Sequence, residues 1–209
     1  MSPEEVPDVV VLRLPMYVRA LSQLLDGGDN VVSSQQLGTL LQMTPAQIRK
    51  DLSYFGRFGK QGRRYDIRFL REELFQILGL DRQWLTCLVG VGRLGQAIIN
   101  YPGFAPEGFK IVAAFDSDTS QVGTVVGGLP VRPMSQMRQA IEKERATVGI
   151  VAVPAVEAQG VIDRLVESGI HGILNYAPIA PKVPTSVVIR SIDPVLSLQS
   201  MTYYLLRDL

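Results

Sequence analysis

Gly90-Val91-Gly92-Arg93-Leu94-Gly95 decides the fold of this 209-residue chain. It is a G-x-G-x-x-G turn. Leu85-Thr86-Cys87-Leu88-Val89 before it is a short apolar run that reads as a buried strand, and Arg93 to Tyr101 after it is helix-like and stopped by Pro102. A second apolar run, Ile111-Val112-Ala113-Ala114-Phe115, ends in Asp116, 21 residues after Gly95. Strand, glycine turn, helix, strand and acid in that register form a unit that binds a dinucleotide. Gly90 permits the bend out of the strand, Gly92 lets a pyrophosphate approach the backbone, and Gly95 lets helix and strand pack closely. Amides at the helix start point at the phosphates. The turn therefore offers Gly90, Val91, Gly92, Arg93, Leu94 and Gly95 as cofactor-binding candidates. Asp116 suits the adenosine ribose hydroxyls and repels a 2′-phosphate, which favours NAD(H) over NADP(H). Asp118, a second acid nearby, leaves the partner of the ribose open.

Working outward towards the C-terminus, strand and helix patterns alternate. A small hairpin spans Val122 to Val131, and a helix runs from about Ser135 to Glu144. A strand from Thr147 to Val153, a helix from Val156 to Ser168, a strand at Ile173-Leu174 and a last strand from Val187 to Ile192 follow. This predicts a Rossmann-like, doubly wound, mostly parallel sheet. Ligands of such sheets lie beyond the carboxyl ends of the strands, which places Pro154, Asn175, Tyr176, Ala177 and Pro178 near the nicotinamide end of the cofactor. The tail from Val195 to Leu209 carries an apolar stripe at Val195, Leu198, Met201, Thr202, Leu205 and Leu206. A terminal helix of this kind must bury its stripe on its own domain or on a partner subunit as a swapped element.

Working outward towards the N-terminus, three helix-like segments precede the strand. Leu12 to Leu25 shows a helical stripe ended by Gly27-Gly28, and Gln35 to Leu41 is a short helix after a serine cap at Ser33-Ser34. After the turn at Gln42-Met43, Thr44 caps a third helix that has Pro45 at its first position. A short helix, a tight turn and a capped helix predict a helix-turn-helix. Between Thr44 and Arg71 stand eight basic residues against two acids, a local excess hidden by a net charge of only +1. Arg and Lys donate to guanine and Gln pairs with adenine, so Ser34, Thr44, Gln47, Arg49, Lys50, Ser53 and Tyr54 are DNA-binding candidates on or beside the reading helix. The glycine-rich, basic, aromatic stretch Gly56 to Tyr65 reads as a wing whose Arg57, Lys60, Arg63 and Arg64 meet phosphates or the minor groove. A closing helix is expected from Arg71 to Leu78. The domain expectation is 1–80 for the winged helix, 81–193 for the nucleotide domain and 194–209 for the C-terminal helix, at a dimer interface.

The single cysteine, Cys87, excludes an intramolecular disulfide and suits a reducing cytoplasm. No signal segment opens the chain, and no run reaches the roughly 18 apolar residues of a membrane span. The one histidine, His171, reads as structural. No metal-ligand cluster and no Ser–Tyr–Lys dehydrogenase triad can be laid out, so a catalytic role is not expected.

This architecture resembles the Rex family of redox-sensing transcriptional repressors over nearly the whole chain. The stretches that carry the resemblance are Gln47 to Gly56, Val89 to Gly95, Tyr101-Pro102-Gly103-Phe104 and Gly172 to Pro178; the first and last are far more specific than the glycine turn. Tyr176 stands where the family motif has Phe, which keeps the ring and adds a hydroxyl near the cofactor. The resemblance implies a homodimer on a palindromic operator that senses the NADH to NAD⁺ ratio and leaves DNA when NADH binds. Arg19, Tyr101 and Asp193 are candidate switch residues, because a guanidinium, a hydroxyl and a carboxylate can exchange partners between states. Two other readings stay open from the residues: an NAD-dependent oxidoreductase with an appended DNA-binding domain, and a transcription factor sensing another nucleotide such as a coenzyme A derivative or NADP(H).

Overall fold

The computed structural model describes residues 6–56, 58 and 64–206. The chain forms two compact units that divide between Arg82 and Gln83. In the first, α1 (Asp8–Val11) and α2 (Leu14–Asp26) are followed by β1 (Val31–Val32), α3 (Ser34–Leu41), α4 (Pro45–Ser53), β2 (Tyr65–Asp66) and α5 (Ile67–Ile77). Ser33 caps α3 in a reciprocal box with Gln36, and Thr44 caps α4 by accepting from the Gln47 amide. The turn between them is tight enough that a side chain on Gly38 would strike the Met43 carbonyl. Leu14, Tyr17, Leu21, Leu37, Ile48, Leu52, Ile67, Leu70 and Leu74 close one core among the helices.

Three expectations change in this unit. The short helix α1 was not foreseen. The closing helix begins at Ile67 rather than Arg71, because Asp66 accepts from the Phe69 amide and caps it there. The serine cap is Ser33, which leaves Ser34 inside α3. Of the expected wing, Arg57, Lys60 and Arg63 lie outside the described residues. The strand that leaves it, β2, pairs antiparallel with β1, Val31 opposite Asp66 and Val32 opposite Tyr65.

The second unit is an α/β layer structure. Its elements are β3 (Trp84–Val89), α6 (Arg93–Ile99), β4 (Phe109–Asp116), β5 (Val125–Val126), β6 (Leu129–Pro133), α7 (Met137–Glu144), β7 (Val148–Val151), α8 (Ala155–Glu167), β8 (Gly172–Asn175), β9 (Val188–Ser191) and α9 (Pro194–Leu205). The sheet order is β5-β6-β4-β3-β7-β8-β9, parallel throughout except for the β5–β6 hairpin. The order reverses between β3 and β7. That is the switch point where the loops leaving two neighbouring strands diverge and open a crevice. Near-continuous apolar strands are buried on both faces, with Val89, Phe115, Ile162 and Leu165 on one side and Leu88, Val91, Ile98 and Ala114 on the other.

Two boundaries fall short of expectation. Helix α6 ends at Ile99, so Tyr101 lies beyond it, and β7 ends at Val151, leaving Ala152 to Pro154 as loop. The C-terminal helix departs further: no residue of α9 is buried, and the side chains off the expected stripe, such as Leu196 and Tyr204, are as apolar and exposed as those on it. Among the described residues no helix is long and apolar enough to cross a membrane.

Candidate functional site

The first unit presents a charged helix face. Ile48, Asp51 and Leu52 turn the inner side of α4 into the core, which leaves Thr44, Arg49, Lys50 and Ser53 exposed on the outer side. Arg64 is exposed just before β2, and Tyr54 is half-buried at the C-terminal end of α4. Two of the expected contacts are turned inward. The Gln47 Nε2 donates to Asp51 Oδ1 at 2.7 Å, so its amide is tied back to its own helix. Ser34 is buried, and its hydroxyl accepts from Arg49 Nη1 at 3.1 Å. Ser53 donates to the Lys50 carbonyl one turn back.

Asp51 is the residue that sequence reasoning missed. It is fully buried and accepts four hydrogen bonds: two from Arg13, one from the Tyr17 hydroxyl at 2.6 Å and one from Gln47. Burial pushes the Asp51 carboxyl up, but Arg13, Tyr17 and Gln47 together outweigh it and hold the group below the usual carboxylate range. Burial, then the Asp51 bond, push the Tyr17 hydroxyl well above its ordinary value, so it stays a donor. The signal was available. Asp51 falls beside Ile48 on the helical wheel, on the side away from Leu52, and an acid flanking an apolar face needs partners.

In the second unit a cavity of about 550 Å³ opens at the switch point. Such a volume is in the range of small-molecule sites. One wall is the glycine turn, Gly90 and Gly92; a second is Asp116 at the end of β4 with Ser117, Asp118 and Gln121 after it; the third is Val153, Pro154 and the outward face of α8 at Val156, Gly160 and Arg164. Gly90 adopts a φ of +94°, and a side chain there would strike the Ala152 carbonyl. A Cβ on Gly95 would fall onto the Gly90 carbonyl, so α6 packs directly on the turn. At Gly92 a Cβ would meet nothing, because the space above it is the cavity. These three positions have the properties a dinucleotide turn needs.

Asp116 is not a free carboxylate. Its Oδ2 accepts from the Val91 amide at 2.6 Å and its Oδ1 from the Asp118 amide at 2.8 Å. Each oxygen keeps a lone pair for a ribose hydroxyl, and the bond to Val91 locks the second strand onto the glycine turn. The Asp118 carboxyl is held below its usual range by the Ser120 amide. Of the other candidates, Arg93 and Leu94 are exposed at the start of α6, and Val91 is buried beneath the turn.

The loop after β8 is set differently from expectation. Asn175 is fully buried; its side chain accepts from the Ala177 amide and donates to the Ala177 carbonyl and to Ser191. It therefore shapes the loop and has no side-chain group left pointing outward. Ala177 is buried, Pro178 is exposed, and Tyr176 packs against the apolar layer beneath the glycine turn, where burial raises its hydroxyl. Tyr101 is exposed, its ring edge-on to Phe104 with centroids 5.2 Å apart. Asp193 caps α9 by accepting from the Val195 amide, and Arg19 is exposed on α2. Burial pushes the Cys87 thiol up to about 12, which leaves it unreactive inside β3.

A family model for a putative DNA-binding protein N-terminus matches residues 5–53, and a model for a CoA binding domain matches residues 81–179. The chain is 51% identical to the redox-sensing transcriptional repressor Rex of Chloroflexus aggregans (strain MD-66 / DSM 9485), over 98% of this chain and 97% of that one. The chain belongs to the Rex family of redox-sensing transcriptional repressors. A Rex from Roseiflexus sp. (strain RS-1) is 50% identical over 99% of this chain and 94% of its own length. Among solved structures, RSP in complex with β-NAD⁺ and operator DNA superposes with a TM-score of 0.92 at 36% identity, covering 98% of this chain and 94% of that one. RSP, described as a Rex-family repressor, in complex with β-NADH gives 0.87 at 34% identity, over 97% and 95%. The named Rex relatives are repressors, and this chain is a regulator rather than an enzyme.

Proposed function

We propose that the chain represses transcription as a cytoplasmic homodimer on a palindromic operator and leaves it when the cavity of the second unit takes up NADH. The observation that carries this is the union, on one chain, of a capped basic reading helix with a glycine-walled cavity at a sheet switch point. On the DNA side, Thr44, Arg49, Lys50, Ser53 and Tyr54 face the groove, and Arg64 follows the phosphates with Arg57, Lys60 and Arg63. Gln47 and Ser34 act by fixing neighbours, Asp51 and Arg49. On the nucleotide side, Gly90 to Gly95 receive the pyrophosphate, Asp116 the adenosine ribose, and Pro154 flanks the entry. The loop set by Asn175 and Ala177 presents Tyr176 and Pro178 towards the nicotinamide end.

NAD⁺ and NADH share every adenosine and phosphate contact, so discrimination lies at the ring. An apolar surround disfavours the cationic oxidised ring and accepts the neutral reduced one. Converting a 1:99 population into 99:1 takes a preference of about 5.5 kcal/mol for the released state. Arg19, Tyr101 and Asp193 are the polar groups proposed to change partners in that step, and α9 supplies apolar surface for the dimer.

The deciding experiment is release of labelled operator on titration with NADH, NAD⁺, NADPH and coenzyme A in separate arms. NADH is expected to release DNA at the lowest concentration. Equal potency of NADH and NAD⁺ would remove redox sensing. Release by coenzyme A alone would favour the second reading, which rests on the CoA binding domain match at 81–179. Asp116 argues against that reading, since its carboxylate opposes a phosphorylated adenosine ribose.

A further inference from the structure

Among the described residues three glycines sit inside helices, Gly38, Gly95 and Gly160, and Gly95 packs α6 on the glycine turn. Gly38 in α3 has a packing reason: a Cβ would collide with the Met43 carbonyl of the turn. Gly160 in α8 has none. A Cβ there would meet no atom within 4 Å beyond its own helix backbone, and its φ lies outside the left-handed region, so a Cβ fits without strain. Glycine in a helix interior is destabilising relative to alanine. The fold alone therefore gains nothing from glycine at this position.

Gly160 does line the cavity. With Val156 one turn before it and Arg164 one turn after it, it forms the α8 wall that faces Asp116, Ser117 and Gln121. Gly92, on the turn, is the other cavity glycine above which a Cβ would meet only open space. Asp116 fixes which end of a dinucleotide comes here, because the acid ending the second strand takes the adenosine ribose. The base attached to that ribose then lies between the Asp116 wall and α8. An adenine has a flat face that needs a flat, close surface, and a guanidinium is the side chain that stacks on such a plane.

We infer that Gly160 is a specificity-determining residue: its missing side chain makes a level seat on α8 for the adenine, with Arg164 at the rim. The inference rests on the nucleotide reading of the cavity and adds the part of the ligand that α8 recognises.

The test uses the full-length protein with ADP-ribose, which has the adenosine and pyrophosphate but no nicotinamide, beside NADH. Gly160→Leu is expected to weaken both ligands by at least about tenfold, the scale of overfilling a packed site. Gly160→Ala is expected to weaken both by a smaller factor while raising the melting temperature by about 2–4 °C through helix propensity. A gain of stability with a loss of affinity is the signature of a glycine kept for a ligand. Unchanged ADP-ribose and NADH affinity in Gly160→Leu overturns the inference and leaves the nucleotide reading standing. A lower melting temperature in Gly160→Ala overturns it by giving the glycine a packing role. A changed solution mass with unchanged ADP-ribose affinity overturns it in favour of a subunit contact. Failure of the unmodified protein to bind either ligand ends both this inference and the reading beneath it.

Discussion

Arg13 holds both carboxylate oxygens of Asp51, Nε on Oδ2 and Nη2 on Oδ1, each at 2.7 Å, across 38 positions of chain. The fork of a guanidinium matches a carboxylate in this two-bonded way, which fixes orientation as well as distance. Arg13 precedes α2 and Asp51 lies in α4, so the pair clamps the reading helix to the start of α2. Tyr17 and Gln47 complete the set, and among the described residues no buried side-chain polar atom lacks a partner.

Removing that carboxylate leaves Arg13 half-buried with no counter-charge. Asp51→Asn is expected to cost the first unit about 3 kcal/mol, the scale of breaking a buried pair from one side. Chemical denaturation followed by tyrosine and helix signals should show an early transition for that unit, and operator affinity should fall with it. NADH binding, measured on the same protein, should not change. A single unshifted transition would mean that the clamp contributes nothing.

The same carboxylate gives a pH dependence with a definite sign. Its folded pKa lies below the ordinary carboxylate value because Arg13, Tyr17 and Gln47 outweigh its burial. The unfolded chain binds the proton more readily, so the stabilisation is complete above pH about 4, the unfolded value, and is lost as pH falls through the folded one. The stability gap between the natural chain and Asp51→Asn should therefore be constant from pH 7 to about 5 and shrink below about 4. A gap that widened on acidification would reverse the assignment.

The glycine turn and its flanks were legible because they are local. Gly90, Gly95 and Asp116 occupy the positions that periodicity and spacing gave them, as do the Thr44 cap and the Pro45 start of α4. What escaped was set by partners far away in sequence. Gln47 reads as a base contact until Asp51 claims its amide, and Asp51 is only one of two acids in a basic stretch until Arg13 and Tyr17 reach it from α2 and its start. Asn175 reads as a ligand group, yet its buried amide closes a loop on Ala177. The α8 wall of the cavity was invisible because Val156, Gly160 and Arg164 match no motif; only the sheet order brings them opposite Asp116.

Two substitutions should separate the two activities. Lys50 is exposed on the outer face of α4, and Lys50→Ala is expected to lose about 1–3 kcal/mol of operator affinity with NADH affinity intact. Asp116→Ala releases the Val91 and Asp118 amides and removes the ribose acceptor, so it should lose NADH affinity and still bind operator. Fluorescence anisotropy with labelled operator and NADH fluorescence give both constants for each variant. Loss of both activities in either folded variant would show that the sites are not separable.

Tyr101 offers a one-atom test of the switch. Its ring stays against Phe104 when the hydroxyl is removed, so Tyr101→Phe should keep the melting temperature. If the hydroxyl exchanges partners between states, the coupling between NADH and operator should fall by about 0.5–2 kcal/mol. The readout is the ratio of operator affinities with and without saturating NADH. An unchanged ratio would remove Tyr101 from the switch.

The last helix predicts the assembly. Val195, Leu196, Leu198, Met201, Tyr203 and Tyr204 are all more than half exposed, and they lie on every side of α9. A helix apolar all round is stable only when it is covered all round. Asp193 and Pro194 start it cleanly with a cap and a fixed first φ, so it forms without a neighbour along its length, and its own unit buries none of it. A second copy is the cover that the proposed homodimer would supply, since one apolar helix from each chain doubles the surface buried. Each leucine so covered is worth about 1.5–3 kcal/mol. The double variant Leu198→Asp, Leu205→Asp should therefore shift the sedimentation mass from two chains to one. Operator affinity should fall steeply, because each half-site then loses its tether to the other. NADH affinity tells where the cavity is completed: retained, the cavity is built within one chain; lost with the dimer, the second subunit closes it. A mass that stays at two chains would place the interface elsewhere and leave α9 needing another cover.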